Sequence, residues 1–519
     1  MKTKRISKVG AMFLAFVMML SVMAVPAFAI ESADKGTITV NGVEEGVAVN
    51  VYKLMDVSYD FDNDQPIDPV YTWVSELQDW VDQNYPAYTD ASDFHDLSAD
   101  DAAAFYDKLA AAIKSDDITL TPAGTRKGSG NITDLEMANY LVLIENGMKV
   151  YRPSAVNLIP KWNNETNKWE MTTPAEVTVK ATEPTIDKTV NEDIKNDGHE
   201  SGTSDNVNIG DTINYDLRAI IPTYPENAAA KKFQISDILS EGLTLDTGSI
   251  KVYGVKGGQE TLLTEGTEYT QAVPGKLLDN TTETSFTLVF DYDKIKGYES
   301  IHVDYNAVLN ENAAVSNTGN VNGVHLEYSN NPYDEDSYKD TTDKVTVFTY
   351  GLDISKVNKE ETELLAGAKF ELADKTDSKI SFIKVSDGVY RVAKANESGV
   401  TEIEVGSTGE NKGKLKITGL DADTYILTET VAPGGYSKLK DPITIEVKDS
   451  DKDGFVDGTE GADNTSGYVT LKVINNKVDF ELPTTGGMGT VLFTVGGSAL
   501  ILGAAVLLMV SRKKKSDNA

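Results

Sequence analysis

Two sets of three residues in this chain each combine an amine, a carboxyl group and a carboxamide, spaced so that β-strands would turn them inward. In the first set Lys188 alternates with Ile186 and Val190, Asp237 with Phe233, Ile235 and Leu239, and Asn317 follows Val315. In the second, Lys356 alternates with Leu352 and Ile354, Glu429 with Tyr425 and Leu427, and Asn475 with Val469, Leu471 and Val473. Strand side chains alternate between faces, so all six groups are expected in an apolar interior, where an unpaired charge is costly. Burial lowers the pKa of an amine and raises that of a carboxyl group, which favours a neutral lysine beside a protonated acid. Such an amine can attack the carboxamide while the acid donates to the amide oxygen and shuttles protons as ammonia leaves. The product would be an intramolecular isopeptide bond tying the first strand of a domain to one of its last. The same residues also read as a buried ion pair capped by an amide, and Asn320, Asn322 and Asn330 crowd the candidate asparagine of the first set.

A further cluster suits a cation. Asp449, Asp451, Asp453, Gly454, Asp457 and Glu460 fall at positions 1, 3, 5, 6, 9 and 12 of an EF-hand loop, with Phe455 at the backbone-carbonyl position 7. Oxygen ligands at that spacing are expected to wrap Ca²⁺. The flanks 443–447 and 468–473 read as strands, so the alternative is an acidic, solvated hairpin loop.

The elements that must position these groups are mostly strands. Residues 36–57 alternate with Gly and Asn turns, and the period then changes: Trp73, Leu77, Trp80 and Val81 share a helical face, while Ser98 and Asp101 open a second helix carrying Phe105, Leu109 and Ile113. The two tryptophans read as core. Lys53 and Glu145 sit on strand-like text in this first domain without a matching asparagine, so no bond is expected there. From 179 to 349 the text is strand-like with turn signals about every ten residues, as in a β-sandwich, and 350–480 continues in the same manner.

Both ends carry export signals. Lys2, Lys4, Arg5 and Lys8 precede an apolar stretch, 9–25, and the small-residue site Ala27-Phe28-Ala29, which reads as a signal peptide over 1–29. At the other end the uncharged run 490–510 is long enough as a helix to cross a bilayer core of ~30 Å, and Arg512 and Lys513 to Lys515 after it favour the cytoplasmic face. Just before that run stands Leu482-Pro483-Thr484-Thr485-Gly486. This order of motif, apolar span and basic tail resembles the sorting signal of sortase substrates on Gram-positive surfaces. The resemblance implies cleavage between Thr485 and Gly486, with Thr485 held as an acyl-enzyme.

Three internal segments are similar to the same world of proteins. Val156-Asn157-Leu158-Ile159-Pro160-Lys161 resembles the pilin motif of sortase-assembled major pilins, with Leu158 and Ile159 in place of the family's Val and Tyr and Arg152 where an aromatic is usual. It implies that Lys161 supplies the amine that attacks the acyl-enzyme, with Lys168 and Lys180 as further candidates. The stretch 365–372 and the run YILTETVAPGGY over 425–436 resemble the collagen-adhesin B-type domain and the pilin E-box. The implied chain is mainly β with three tandem immunoglobulin-like β-sandwiches of collagen-adhesin type, the N-terminal one α+β with inserted helices. Its expected divisions are a signal peptide at 1–29, domains at 30–178, 179–349 and 350–480, and a sorting signal, span and tail at 481–519.

Composition narrows the partners. The formal net charge is −33, and the two ends expected to be removed carry eight basic residues against one acidic, so the exposed chain is more acidic still and repels nucleic acid. Cysteine is absent, which excludes disulfides, thiolate metal sites and internal thioesters. The four histidines are scattered, and no Ser-His-Asp set or phosphate-binding glycine loop can be assembled, so no enzyme is expected. The resemblance implies a secreted, wall-anchored backbone subunit of a covalent homopolymer. Its implied partners are a pilus-class sortase, a housekeeping sortase with peptidoglycan, and tip or minor pilins, while the sequence names no host ligand. The rival expectation is a singly anchored adhesin.

Overall fold

In the computed structural model the described residues are 30–31, 34–171, 173–192, 202–457, 466–478 and 487–516. The signal-peptide residues, the motif Leu482 to Gly486 and Glu460 lie outside them. The chain is mainly β, built as consecutive sandwich-like units.

The first unit pairs two sheets with helices. Gly36–Asn41 lies between Gly130–Leu135 and Ala175–Thr178, and the long strand Ala48–Asp60 pairs with Gln65–Trp73, Gly124–Lys127 and Ala138–Glu145. Helix Ala99–Lys114 starts where Ser98 Oγ accepts from the Asp101 amide at 3.1 Å, which satisfies one free N–H of its first turn. Phe105 and Leu109 are wholly buried. The helix Ser75–Asn84 buries Leu77 and Val81, but Trp73 ends the preceding strand rather than sharing that helical face. Its indole instead stacks on Phe105 and donates to the Tyr88 carbonyl at 2.8 Å.

The middle unit is a two-sheet sandwich. One sheet runs Ile186–Glu192, Thr212–Ile220, Ser300–Leu309, Lys251–Lys256, Gln259–Leu262; the facing sheet runs Ser204–Asn206, Lys339–Phe348, Asn320–Tyr328, Phe233–Leu239, Phe286–Phe290, Tyr269–Ala272. The last unit repeats the scheme with fewer strands. Its first strand, Tyr350–Asn358, lies parallel to its last, Tyr468–Asn475, and Lys369–Asp374 and Thr424–Val431 pair in the facing sheet.

Polar contacts join the units. Tyr333 and Arg152 both bind the buried carboxylate of Asp107, and Tyr328 donates to the Met148 carbonyl at 2.6 Å. At the second junction the Tyr350 hydroxyl lies 2.7 Å from the side-chain amide of Asn206, and Lys452 pairs with Asp205 at 2.8 Å. Beyond the last unit, helix Gly487–Ser516 contains Leu492–Ser511, apolar and long enough to cross a membrane.

Candidate functional sites

Lys188 and Lys356 are the two buried lysines among the described residues, and each has a buried acid and a buried asparagine beside it. In the last unit the strand pairing explains the convergence. Lys356 is in register with Val473 and Asn358 with Asn475, so Asn475 lies diagonally across from Lys356 on the adjacent parallel strand. Lys356 Nζ donates to Asn475 Oδ1 and, at 2.9 Å, to the Val473 carbonyl. Glu429 reaches in from the facing sheet: one carboxylate oxygen is 3.7 Å from Lys356 Nζ, and the pair accept from Asn475 Nδ2 at 3.1 and 3.0 Å. The Ser437 carbonyl accepts from the same Nδ2 at 2.7 Å. Loss of water around the amine outweighs the pull of Glu429 and pushes Lys356 down to about 8.

The middle site uses another asparagine. Asn317 is exposed and belongs to the segment between the strands Ser300–Leu309 and Asn320–Tyr328. It makes no strand alternation with Val315, because the strand begins only at Asn320. Asn322 is the residue that faces Lys188: it is wholly buried and accepts from Lys188 Nζ at 2.8 Å through Oδ1. The signal was legible in the inward set Asn322, Val324, Leu326 of that strand. Asp237, on the neighbouring strand, pairs with the Lys188 amine. Its Oδ1 is buried without a hydrogen-bond partner, which disfavours ionisation. Burial pushes the Asp237 carboxyl up and the Lys188 amine down to about 8.

Around this triad stand two tyrosines that sequence patterning passes over as core. Tyr215 and Tyr305 are opposite each other in register, stacked with centroids 5.3 Å apart, and both are wholly buried. The Tyr305 hydroxyl accepts from Lys188 Nζ at 2.7 Å and from Asn322 Nδ2 at 2.8 Å. Each site can therefore carry an amine onto a carboxamide carbon inside a dry core.

Among the described residues of the first unit no lysine is buried. Lys53 is paired with Glu136 at 2.8 Å and with Asp56 near the surface, and Glu145 pairs in register with Ala48. Lys161 is exposed on a two-stranded ribbon, Pro160–Asn163 against Lys168–Met171, opposite Glu170. Lys168 is exposed on the same ribbon and Lys180 shortly after it.

The acidic loop sits at the second junction. Carboxylate oxygens of Asp449, Asp451 and Asp453 lie within 4.8 Å of one another. Asp449 is buried and accepts from the Tyr350 hydroxyl at 2.5 Å and the Gly454 amide at 2.8 Å. Hydrogen bonding to Asp449 and the charge of Asp453 hold the Asp451 carboxyl above its ordinary value. Asp457 instead closes the loop, accepting from Ser450 N at 3.1 Å and from Ser450 Oγ at 2.6 Å. Phe455 donates its amide to Asp453 at 2.9 Å.

Comparison with known proteins gives three matching segments. Residues 209–332 match the Gram-positive pilin backbone subunit 2, Cna-B-like domain; 351–461 match a prealbumin-like fold domain; and 474–518 match the LPXTG cell wall anchor motif. The chain is 27% identical to the trypsin-resistant surface T6 protein of Streptococcus pyogenes, over 60% of this chain and 68% of that one. It is 25% identical to the fimbrial subunit type 1 of Actinomyces viscosus, over 59% and 62%. In fold it is similar to the T6 backbone pilin of Streptococcus pyogenes, described as a modular three-domain structure, with a TM-score of 0.58 at 19% identity, covering 87% of this chain and all of the other.

Proposed function

Because this chain belongs to the Gram-positive backbone pilins, structural subunits anchored to the cell wall, we propose that it polymerises through Thr485 of one copy and Lys161 of the next. The observation that supports this is that one chain carries both halves of one bond. The sorting motif supplies an acyl group at Thr485, and the ribbon presents Lys161 to solvent. A pilus-class sortase cysteine takes the Thr485 carbonyl as Gly486 leaves. The Lys161 amine then displaces the cysteine, and repetition builds a covalent fibre. For the last subunit added, a housekeeping sortase hands Thr485 to peptidoglycan, and tip or minor pilins join by the same chemistry.

Within each subunit, we propose two staples: Lys188 to Asn322 across the middle sandwich and Lys356 to Asn475 within the last one. Lys188, Asp237 and Asn322, like Lys356, Glu429 and Asn475, are placed for amine attack with loss of ammonia. We also propose Ca²⁺ at Asp449, Asp451 and Asp453, a donor set of hard oxygens suited to that ion; Asp457, turned to Ser450, is left out of it.

Replacing Lys161 with Ala tests the polymer. Wall extracts of the unaltered strain are expected to show a high-mass ladder on a denaturing gel, and K161A to lose it. A ladder surviving in K161A would overturn the assignment of Lys161. No ladder in the unaltered strain would leave a singly anchored adhesin.

A further inference from the structure

The two triads differ in what touches the departing nitrogen. In the last unit Glu429 reaches both ends of the reaction, within 3.7 Å of the Lys356 amine and in hydrogen bonds with Asn475 Nδ2. In the middle unit the acid is one methylene shorter. Asp237 holds the amine of Lys188, but the hydrogen bond from Asn322 Nδ2 goes to the Tyr305 hydroxyl. That hydroxyl also accepts from the attacking amine, so a single oxygen bridges the two nitrogens between which a proton must pass.

We propose that Tyr305 is a catalytic residue of bond closure in the middle unit, its hydroxyl relaying a proton from the Lys188 amine to the departing nitrogen of Asn322. This rests on the reading that Lys188 and Asn322 become joined. The ammonium of Lys188 first gives a proton to Asp237, leaving a neutral amine and a carboxylic acid. The amine nitrogen attacks Asn322 Cγ, and Asp237 stabilises the negative charge that develops on Oδ1. The new N–C bond makes the attacking nitrogen acidic; it passes a proton to the Tyr305 oxygen as the Tyr305 proton moves to Nδ2. The Cγ–Nδ2 bond then breaks and ammonia leaves. Tyr305 ends with one proton as it began, Asp237 keeps the one it received, and no oxidant or outside reactant is consumed.

The surroundings fit a relay. Tyr305 is fixed by stacking on Tyr215, at 5.3 Å and 21° between planes, and by an edge contact with Phe286 at 5.0 Å. Its phenol is wholly buried, which raises its pKa well above the ordinary value and keeps the hydroxyl protonated. A positioned proton shuttle of this kind contributes about 10²–10⁴-fold in rate.

The test follows bond closure in the mature chain, residues 30–485, made by cell-free synthesis and sampled over time, with each crosslink measured by peptide mass. Tyr305→Phe keeps the ring stack and removes the relay oxygen. It is expected to slow the Lys188–Asn322 bond about a hundredfold or more while the Lys356–Asn475 bond closes at the unaltered rate in the same molecule. Tyr215→Phe keeps the stack and removes a hydroxyl that lies beside Asn322 but does not bond the Lys188 amine, so it cannot carry a proton between the two nitrogens and is expected to slow the middle bond far less than Tyr305→Phe. Closure of the middle bond in Y305F at the unaltered rate, or equal slowing in Y215F, would overturn the relay. Should Y305F not fold, 3,5-difluorotyrosine at position 305 keeps ring and hydroxyl and changes only acidity. It is then expected to shift the middle rate by about threefold or more, and an unchanged rate would overturn the relay. Absence of the middle crosslink from the unaltered chain would instead sink the underlying reading of the bond.

Discussion

The middle and last units place the same three chemical groups differently. In the last unit the lysine and asparagine are neighbours in one sheet, on parallel first and last strands, and the acid comes from the facing sheet. In the middle unit the lysine stands on one sheet while the acid and asparagine stand on adjacent strands of the other. A staple within a sheet locks two strands edge to edge, whereas a staple between sheets locks the sandwich across its core. The difference also sets what the acid can reach. Where Glu429 contacts the carboxamide nitrogen itself, no side-chain hydroxyl among the described residues is engaged; where Asp237 does not, Tyr305 stands in the gap. The amines respond alike, both pushed down to about 8 by burial. What the sites share is therefore a dry amine, and what they vary is the path of the proton.

The largest expected effect is on stability. Asn475→Ala and Asn322→Ala each remove one of the proposed staples, which would close 119 and 134 residues of chain respectively. In the chain-entropy treatment of crosslinks, loops of such length are each worth about 5 kcal/mol. Denaturant unfolding of the two variants should therefore show similar losses, and a loss confined to one unit would break the equivalence.

Next comes the reach of the acid. Glu429→Asp withdraws the carboxyl from Asn475 Nδ2 in a site with no bridging hydroxyl. Time-resolved peptide mass should show the Lys356–Asn475 bond slowed about a hundredfold, with the middle bond unaffected. An unchanged rate would show that direct contact with the departing nitrogen is dispensable.

A smaller effect concerns pH. In Asn322→Ala the Lys188 amine survives, with a folded value near 8 against 10.5 for an ordinary lysine. The folded chain sheds this proton at lower pH than the unfolded chain. Between those values the unfolded state binds more protons, and the variant gains stability as pH rises, by at most roughly 1.4 kcal/mol per pH unit. In the unaltered chain the proposed bond would consume the amine, so the Tm difference between the two should narrow from pH 8 to pH 10. A constant difference would argue against a buried free amine. The smallest effect is expected from chelation, which should lower the Tm of the last unit by a few degrees if Ca²⁺ is held; no shift, with no metal detected, would leave Asp449, Asp451 and Asp453 as a hydrogen-bonded loop.

Much of the fold was legible because strand alternation is local. Lys188, Asp237, Lys356, Glu429 and Asn475 each stand out as a polar residue in an inward apolar row. Asn317 misled because Val315 and Asn317 imitate alternation in a segment that is not a strand, while the row containing Asn322 begins only at Asn320, three residues later. Trp73 misled similarly, since its spacing to Leu77 fits a helix that starts at Ser75. Tyr305 was invisible for another reason. A tyrosine in an inward row reads as core, and the role proposed for it comes from the packing of one sheet on the other, which no local period encodes. The same holds for Asp457, whose place in a ligand pattern says nothing of its bonds to Ser450.

The account stands most directly on the mass of the mature chain, residues 30–485. Intact mass should fall short of the sequence mass by two ammonia molecules, and digestion should yield peptides joined at Lys188–Asn322 and at Lys356–Asn475. An unreduced mass, or a crosslink from Lys188 to Asn317, would contradict it.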